Sequence, residues 1–313
     1  MSVSDTAAYT TRGGRLARHV SFLAYDNFRY LKIALAAVVV ATVLYIAVVP
    51  YAGRYGGGWA GYTLGTVGAL LILWLTWFGY RKRTYNPERK YVHGHGEAAA
   101  AAEAHPEEDP SRLARRLSAH VYLGLALLVI ATLHTAFHFG WNIHTLAYTL
   151  MCIVIFSGIY GVFAYAHYPR LMTDNRENLT MGQMLARIVA VDAELRRAAL
   201  PLDDATAAAI RGAVENTPVG GSMWRQASGR YPSCGTARAL AFVGARGGAL
   251  AKLDDEAWRQ LRAKLEEKSI IVAQLRRDVR YKALMDVWLY FHVPLTFALI
   301  AALSAHIISI FFL

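Results

Sequence analysis

Cysteine is scarce in this 313-residue chain, which contains only Cys152 and Cys234. They lie in segments predicted to occupy different compartments, so they are not expected to form a disulfide. The sequence has no CxxCH motif for covalent haem attachment and no cysteine cluster of the kind that binds zinc or iron–sulfur clusters. Cys152 is therefore predicted to be a small packing residue, and Cys234 a free thiol in a loop.

Nucleotide-binding signatures are also missing. The only glycine-rich candidate, GARGG at 244–248, lacks the flanking strand and the spacing of a phosphate-binding loop. The first apolar run is not expected to be a cleavable signal, because thirty residues that include Asp5 and Asp26 precede it and no small-residue cleavage site follows. The sequence thus predicts neither a flavin or nucleotide domain nor a removed leader.

Long apolar runs are abundant, and 55% of the residues are hydrophobic. A helix needs about 20 apolar residues to cross a hydrocarbon core of ~30 Å. The predicted spans are Ile33–Val49, Trp59–Tyr80, Ala119–Gly140, His144–Ala166 and Val287–Leu313. We therefore predict an all-α integral membrane protein, a five-span helical bundle in contact with membrane lipid.

Positive charge is distributed unevenly between the loops. Of 33 Lys and Arg residues, five precede span 1, eight lie between spans 2 and 3, and nineteen lie between spans 4 and 5. Only Arg54 lies on the other side. Since basic residues concentrate on the cytoplasmic side of membrane proteins, the N-terminus is predicted to be cytoplasmic and the C-terminus outside, in the cell (inner or plasma) membrane. The net charge of +11 is explained by this pattern, and no nucleic acid partner is expected.

The predicted organisation has four parts. Residues 1–30 form a cytoplasmic N-terminal segment, residues 31–168 hold spans 1–4 with a cytoplasmic linker at 81–117, residues 169–283 form a small helical cytoplasmic insert, and residues 284–313 form span 5. Within the insert, helical periodicity covers 179–200 and 253–284, and 217–235 is loop-like. The insert is predicted to be a helical cap or a docking surface for a redox partner.

Small residues recur in two spans: Gly61, Gly65 and Gly68 in span 2, and Ser157, Gly158 and Gly161 in span 4. This spacing allows helices to approach closely. We expect these residues to serve helix packing, with no chemical role.

Histidine is concentrated in spans 3 to 5. Seven of the eleven histidines lie in or at the ends of these spans: His120, His134, His138, His144, His167, His292 and His306. An ionisable side chain inside a membrane is costly, so each one is a functional candidate. Interfacial placement and helix–helix hydrogen bonds are the structural alternatives, and His144 and His167, at span ends, fit those alternatives well.

Two spans carry the same histidine spacing. His120 and His134 are fourteen residues apart in HVYLGLALLVIATLH, and FHVPLTFALIAALSAH repeats that spacing with His292 and His306. Fourteen helical residues make just under four turns, so both imidazoles of a span leave one face, about 21 Å apart along the axis. Spans 3 and 5 are predicted to run parallel, and the first histidine of each lies at a similar depth.

This geometry fits two b-type haems stacked across the bilayer, each held between two histidines. His120 and His292 are the predicted iron ligands at the cytoplasmic level and are called the inner pair. His134 and His306 are the predicted ligands at the opposite level and are called the outer pair.

Further residues are candidates for contact with the haems. Gly124, one turn after His120, either leaves room for a porphyrin or helps helices pack. His138, one turn beyond His134, is expected to hydrogen-bond to the outer haem or to handle protons. Pro294 cannot donate to Tyr290 and is expected to kink span 5 near His292.

Four basic side chains lie where the inner haem propionates would emerge: Arg115, Arg116, Arg280 and Lys282. The same residues also serve as positive-inside anchors, and the sequence leaves both interpretations open.

The stretch FHVPLTFALIAALSAH resembles the second haem-ligating helix of cytochrome b from bc-type complexes, in which a histidine, a nearby proline and an apolar run lead to a second histidine. The paired histidines on spans 3 and 5 are also similar to the ferric-reductase and NADPH-oxidase membrane domain. The resemblance covers mainly those two spans, about a sixth of the chain, and implies two haem b groups that carry electrons.

Iron held by two histidines has no open position for a substrate, so the sequence favours electron transfer over chemistry at the metal. The first hypothesis is the membrane subunit of a larger redox complex. It would exchange electrons with a quinone, a cytoplasmic flavin or iron–sulfur protein, or an external c-type cytochrome. A stand-alone quinol- or ferric-reducing oxidoreductase and a non-redox, proton-coupled transporter are the alternatives.

Overall fold

Helix dominates the part of the chain that the structure describes. The computed structural model describes residues 21–48, 58–84, 110–176, 179–250 and 256–312, and these ranges contain no β-strand. Residues 1–20 of the predicted N-terminal segment and 85–109 of the predicted linker lie outside the described residues. The prediction of an all-α chain is confirmed.

The helices have the following bounds: α1 Tyr25–Val48, α2 Trp59–Thr84, α3 Pro110–His134, α4 Ile143–Arg176, α5 Met181–Ala199, α6 Asp204–Glu215, α7 Met223–Ser228, α8 Gly235–Leu250 and α9 Glu256–Phe312. Within the described ranges, five candidate spans are long and apolar enough to cross a membrane, formed by α1, α2, α3, α4 and α9. This confirms the five-span, multi-pass prediction.

Two parts of the sequence behave differently from expectation. Span 3 was expected to reach Gly140, but α3 ends at His134, because Ala136 and Phe137 adopt left-handed backbone angles of φ 46° and 60° that a right-handed helix cannot contain. The segment 217–235 was expected to be a loop, yet it contains the short helix α7, which Ser222 caps by accepting from the Arg225 N–H at 3.4 Å. Pro294 lies inside α9, which stays helical on both sides of it.

The chain divides into two compact units. The first contains the residues up to Phe163 together with Leu289–Leu313, and the second contains Ala164–Trp288. In the first unit, α1 buries little more than Ala34 and Ala41, while Val40, Val43 and Ile46 stay more than 60% exposed. A helix that is apolar on all sides suits a lipid environment.

Side chains from several helices meet in the interior of the first unit. One cluster joins Ala41, Leu64, Ile130 and Leu133, and another joins Ile72, Leu127, Met151 and Leu299. The hydroxyls of Thr132 and Tyr148 also hydrogen-bond at 2.9 Å between α3 and α4. This packing fixes α3, which carries two of the predicted iron ligands, against its neighbours.

The second unit has a core of its own, formed by Leu195, Ile210, Leu261, Leu265 and other apolar side chains of α5, α6, α8 and α9. Two charged side chains are buried within it. The Lys268 ammonium, 1% exposed, donates to Asp192 at 2.5 Å and to the Ala213 carbonyl at 2.7 Å. Asp278, fully buried, accepts from Arg176 and from Asn175.

Cys234 lies in the loop before α8 and is a free thiol, as predicted, but only 6% of it is exposed. Burial by itself raises the pKa of this thiol. Hydrogen bonds from the Ala237 backbone and from the Arg276 guanidinium, 3.2 Å from Sγ, outweigh burial, so the pKa lies below its usual range.

We predict that Lys268→Met weakens the second unit by about 3 kcal/mol or more, because it leaves the Asp192 carboxylate without its ammonium partner and removes one of the donors to the Ala213 carbonyl. In a Cys152→Ala background, maleimide labelling of Cys234 under native conditions should then accelerate on the order of a hundredfold. Arg262→Met is the matched control, since Arg262 pairs with Glu266 at the surface and such pairs contribute about 0–1 kcal/mol. Equal labelling rates in the two variants would contradict the account.

Candidate functional site

The outer pair is brought together in the first unit. The ring centres of His134, the last residue of α3, and His306, near the end of α9, lie 6.1 Å apart with perpendicular ring planes. Metal–imidazole bonds are about 2.0–2.1 Å long, so two imidazoles on opposite sides of one iron have ring centres roughly 6 Å apart. The separation therefore fits a metal held between the two rings.

His134 is fixed against α2. Its Nδ1 hydrogen-bonds to the Gly61 carbonyl at 2.9 Å. Because a carbonyl only accepts, Nδ1 carries the proton, and Nε2 keeps its lone pair for a metal. A metal-bound histidine usually donates its second ring N–H in this way.

Gly65 makes room for the same ring. A Cβ at Gly65 would lie 2.7 Å from His134 Cε1, closer than such atoms approach, whereas a Cβ at Gly68 would lie 3.7 Å from Leu127, an ordinary contact. Both glycines were expected to serve helix packing alone. The absence of a side chain at Gly65 instead defines the position of a candidate ligand.

His306 contacts a histidine that sequence reasoning had left to structural roles. His144 and His306 hydrogen-bond directly through their Nδ1 atoms, and their ring centres lie 4.5 Å apart. The structural expectation for His144, a helix–helix hydrogen bond, is thus correct, but its partner is a predicted iron ligand. No local pattern pointed to this contact, since 162 residues separate the two histidines.

The start of α4 holds His144 in place. The Asn142 side chain accepts from the Thr145 N–H at 2.9 Å, and the Thr145 hydroxyl accepts from the Gly140 N–H at 3.0 Å. These bonds cap the first turn, in which His144 is the second residue. Its imidazole is therefore attached to a defined helix end.

The inner pair occupies the same two helices, with both histidines half-buried. His292 Nδ1 lies 2.7 Å from Ser157 Oγ, and that hydroxyl donates to the Val154 carbonyl at 2.8 Å. Since the hydroxyl proton is used toward Val154, Ser157 accepts from His292, whose Nε2 keeps its lone pair. Gly158 lies beside the same ring, where a Cβ would make an ordinary 3.6 Å contact. Ser157, which was also expected only to pack, therefore supports a candidate ligand, whereas the ordinary contact at Gly158 does not depart from its expected packing role.

The prediction that His138 lies one helical turn beyond His134 is wrong. Because α3 ends at His134, His138 lies in the following loop and does not share a helical face with His134. It is exposed, and its Nδ1 hydrogen-bonds to the Ala136 carbonyl at 2.7 Å. The proposed hydrogen bond from His138 to an outer haem stays a prediction.

Gly124 borders open space. A Cβ built there would meet no other described atom within 4 Å, which matches the expectation of room beside α3 rather than that of close helix packing. On the same helix Arg115 is exposed and Arg116 is half-buried. Their roles as propionate partners stay predictions.

The other two basic candidates belong to the second unit. Arg280 is exposed, and its guanidinium donates to the Ala227 carbonyl at 3.2 Å, which fastens α7 to α9. Lys282 is also exposed. Within its own unit, Arg280 thus has a structural role that the sequence did not indicate.

The donor set fits haem better than a bare metal ion. Within the described ranges, no group of three or more His, Cys, Asp or Glu side chains is placed to hold a metal ion, but a haem iron needs only two from the protein. His134, His292 and His306 each have Nδ1 in a hydrogen bond, the arrangement usual for a histidine that binds a metal through Nε2. Comparison of the chain with known protein families, with curated proteins and with solved structures finds no match.

We predict that Gly65→Ala displaces the His134 ring and lowers the content of the outer haem, because the new methyl group would lie only 2.7 Å from Cε1. Haem and protein are quantified on the purified chain. Gly68→Ala is the control, since its methyl group fits. Equal haem content in the two variants would show that His134 is not a ligand held by Gly65.

Ser157→Ala is predicted to weaken haem binding at His292 by about ten- to a hundredfold, the usual effect of losing the hydrogen-bond partner of a metal-bound histidine. Haem retention during dilution of the purified variant measures this loss. Ser309→Ala serves as control, because the Ser309 hydroxyl bonds to the His306 carbonyl and not to a ring. If both variants retain haem like the wild type, Ser157 does not support a ligand.

Proposed function

We propose that this chain is a di-haem b-type cytochrome that carries electrons across a membrane. The observation that carries the proposal is the outer pair, whose ring centres stand 6.1 Å apart on α3 and α9 with the second ring nitrogen of each histidine engaged. The inner pair occupies the same helices fourteen residues earlier, or about 21 Å along the axis.

Each haem would supply an iron that changes its charge by one electron without an open coordination site. The residues of this chain provide the rest. Histidine Nε2 atoms would hold the iron, Gly61 and Ser157 orient the rings of His134 and His292, and the apolar side chains of α3 and α9 would exclude water. The chain thereby holds two redox groups at fixed positions along the same pair of helices.

The supply and removal of electrons are part of the proposal. Bis-histidine ligation favours exchange with partners over turnover of a substrate at the metal, so we propose a subunit of a larger redox complex. Its partners would be a quinone and a redox protein, either a cytoplasmic flavin or iron–sulfur protein or an external c-type cytochrome. The predicted orientation places the second unit, with its basic residues, on the cytoplasmic side.

A second candidate is a proton-coupled transporter, which the direct contact between His144 and His306 favours, because hydrogen-bonded histidines can relay protons. Such a protein needs no haem and would be colourless. The stand-alone reductase instead predicts steady-state turnover of quinol or ferric chelate by the purified single chain.

Single histidine substitutions test the proposal. His120→Ala, His134→Ala, His292→Ala and His306→Ala should each reduce the haem-to-protein ratio by about half, since each removes one of two axial ligands from one of two haems. Reduced-minus-oxidised spectra with haem quantification measure this ratio.

His167→Ala, a histidine of α4 outside both pairs, should keep the full haem content. Unchanged haem content in the four ligand variants would contradict the assignment of these histidines as haem ligands, and so would an equal loss of haem in His167→Ala.

A further inference from the structure

His144 contacts the proposed ligand His306 and is not itself a proposed ligand. It lies in the first turn of α4, whereas His306 lies near the end of α9. The two rings are perpendicular, and their Nδ1 atoms share a hydrogen bond. Both histidines are half-buried.

The direction of that bond follows from ligation. An imidazole that binds iron through Nε2 carries its proton on Nδ1, so His306 must be the donor. His144 must then accept through Nδ1 and carry its own proton on Nε2. The arrangement matches that of His134, which donates Nδ1–H to Gly61, and of His292, which donates to Ser157.

We propose that His144 is the positioning residue of the outer haem: it accepts the Nδ1–H of His306 and thereby sets the plane of that ligand and its strength as an electron donor. This inference rests on the proposed function. At Nδ1 of His306, His144 is the hydrogen-bond partner, in the place that Gly61 and Ser157 occupy for the other two rings.

Two consequences distinguish this role from simple packing. The hydrogen bond holds the His306 ring perpendicular to His134, at an interplanar angle of 89°, so its loss frees the ring to rotate. Donation of the Nδ1–H to His144 also makes His306 a stronger electron donor to the iron. A stronger donor stabilises the oxidised iron, so loss of this hydrogen bond is expected to raise the reduction potential of the outer haem.

The test uses the full-length purified chain with His144→Leu, which removes the acceptor, and His144→Gln, whose amide oxygen restores one. The angle between the axial rings is read from the electron paramagnetic resonance spectrum of the oxidised haems, and potentials are read by redox titration. We expect His144→Leu to move the signal of the outer haem, to raise its potential and to weaken its binding by about ten- to a hundredfold. We expect His144→Gln to recover much of the wild-type behaviour.

His167→Leu, at the other end of the same helix, is the control and should change neither haem. If His144→Leu and His144→Gln are equally altered, the effect is one of packing and the inference is overturned. It is also overturned if His144→Leu leaves the outer signal and potential unchanged while the wild type holds two haems. A wild-type chain that binds no haem overturns the proposed function, and this inference with it.

Discussion

The hydrogen bond on the second ring nitrogen of His134, His292 and His306 is the constraint on which the candidate site depends. An imidazole among apolar helices is costly unless its polar atoms are satisfied. The chain meets this requirement in three different ways, with a backbone carbonyl at Gly61, a hydroxyl at Ser157 and a second imidazole at His144. The Gly61 carbonyl and the Ser157 hydroxyl accept, so Nδ1 of His134 and of His292 carries the proton and Nε2 keeps its lone pair. Under the proposed ligation, His144 accepts from His306 in the same way.

Small residues make these bonds possible. Gly65 leaves the space that the His134 ring occupies, and Ser157 and Gly158 bring α4 close to His292. The site is therefore built from four helices, α2, α3, α4 and α9, although only α3 and α9 carry the two pairs. The second unit is stabilised separately, by an apolar core and by the buried charges of Lys268 and Asp278.

The sequence predicted what depends on local patterns. Apolar length gave the candidate membrane spans, and the period of the α-helix placed two histidines on one face of each ligand-bearing span. Contacts between distant segments could not be read in this way: nothing near His144 indicates His306, and the clearance at Gly65 depends on how α2 packs against α3. The left-handed turn at Ala136 and Phe137 was missed as well, because neither residue type favours it, and His138 was therefore wrongly placed on the same helix as His134.

The absorption spectrum of the purified wild-type chain, with haem counted against protein during a redox titration, tests the central claim most directly. We expect two low-spin b-type haems per chain, each with two histidine ligands, that are reduced at two distinct potentials. A colourless protein would contradict it, and so would a haem whose spectrum shows an open coordination site.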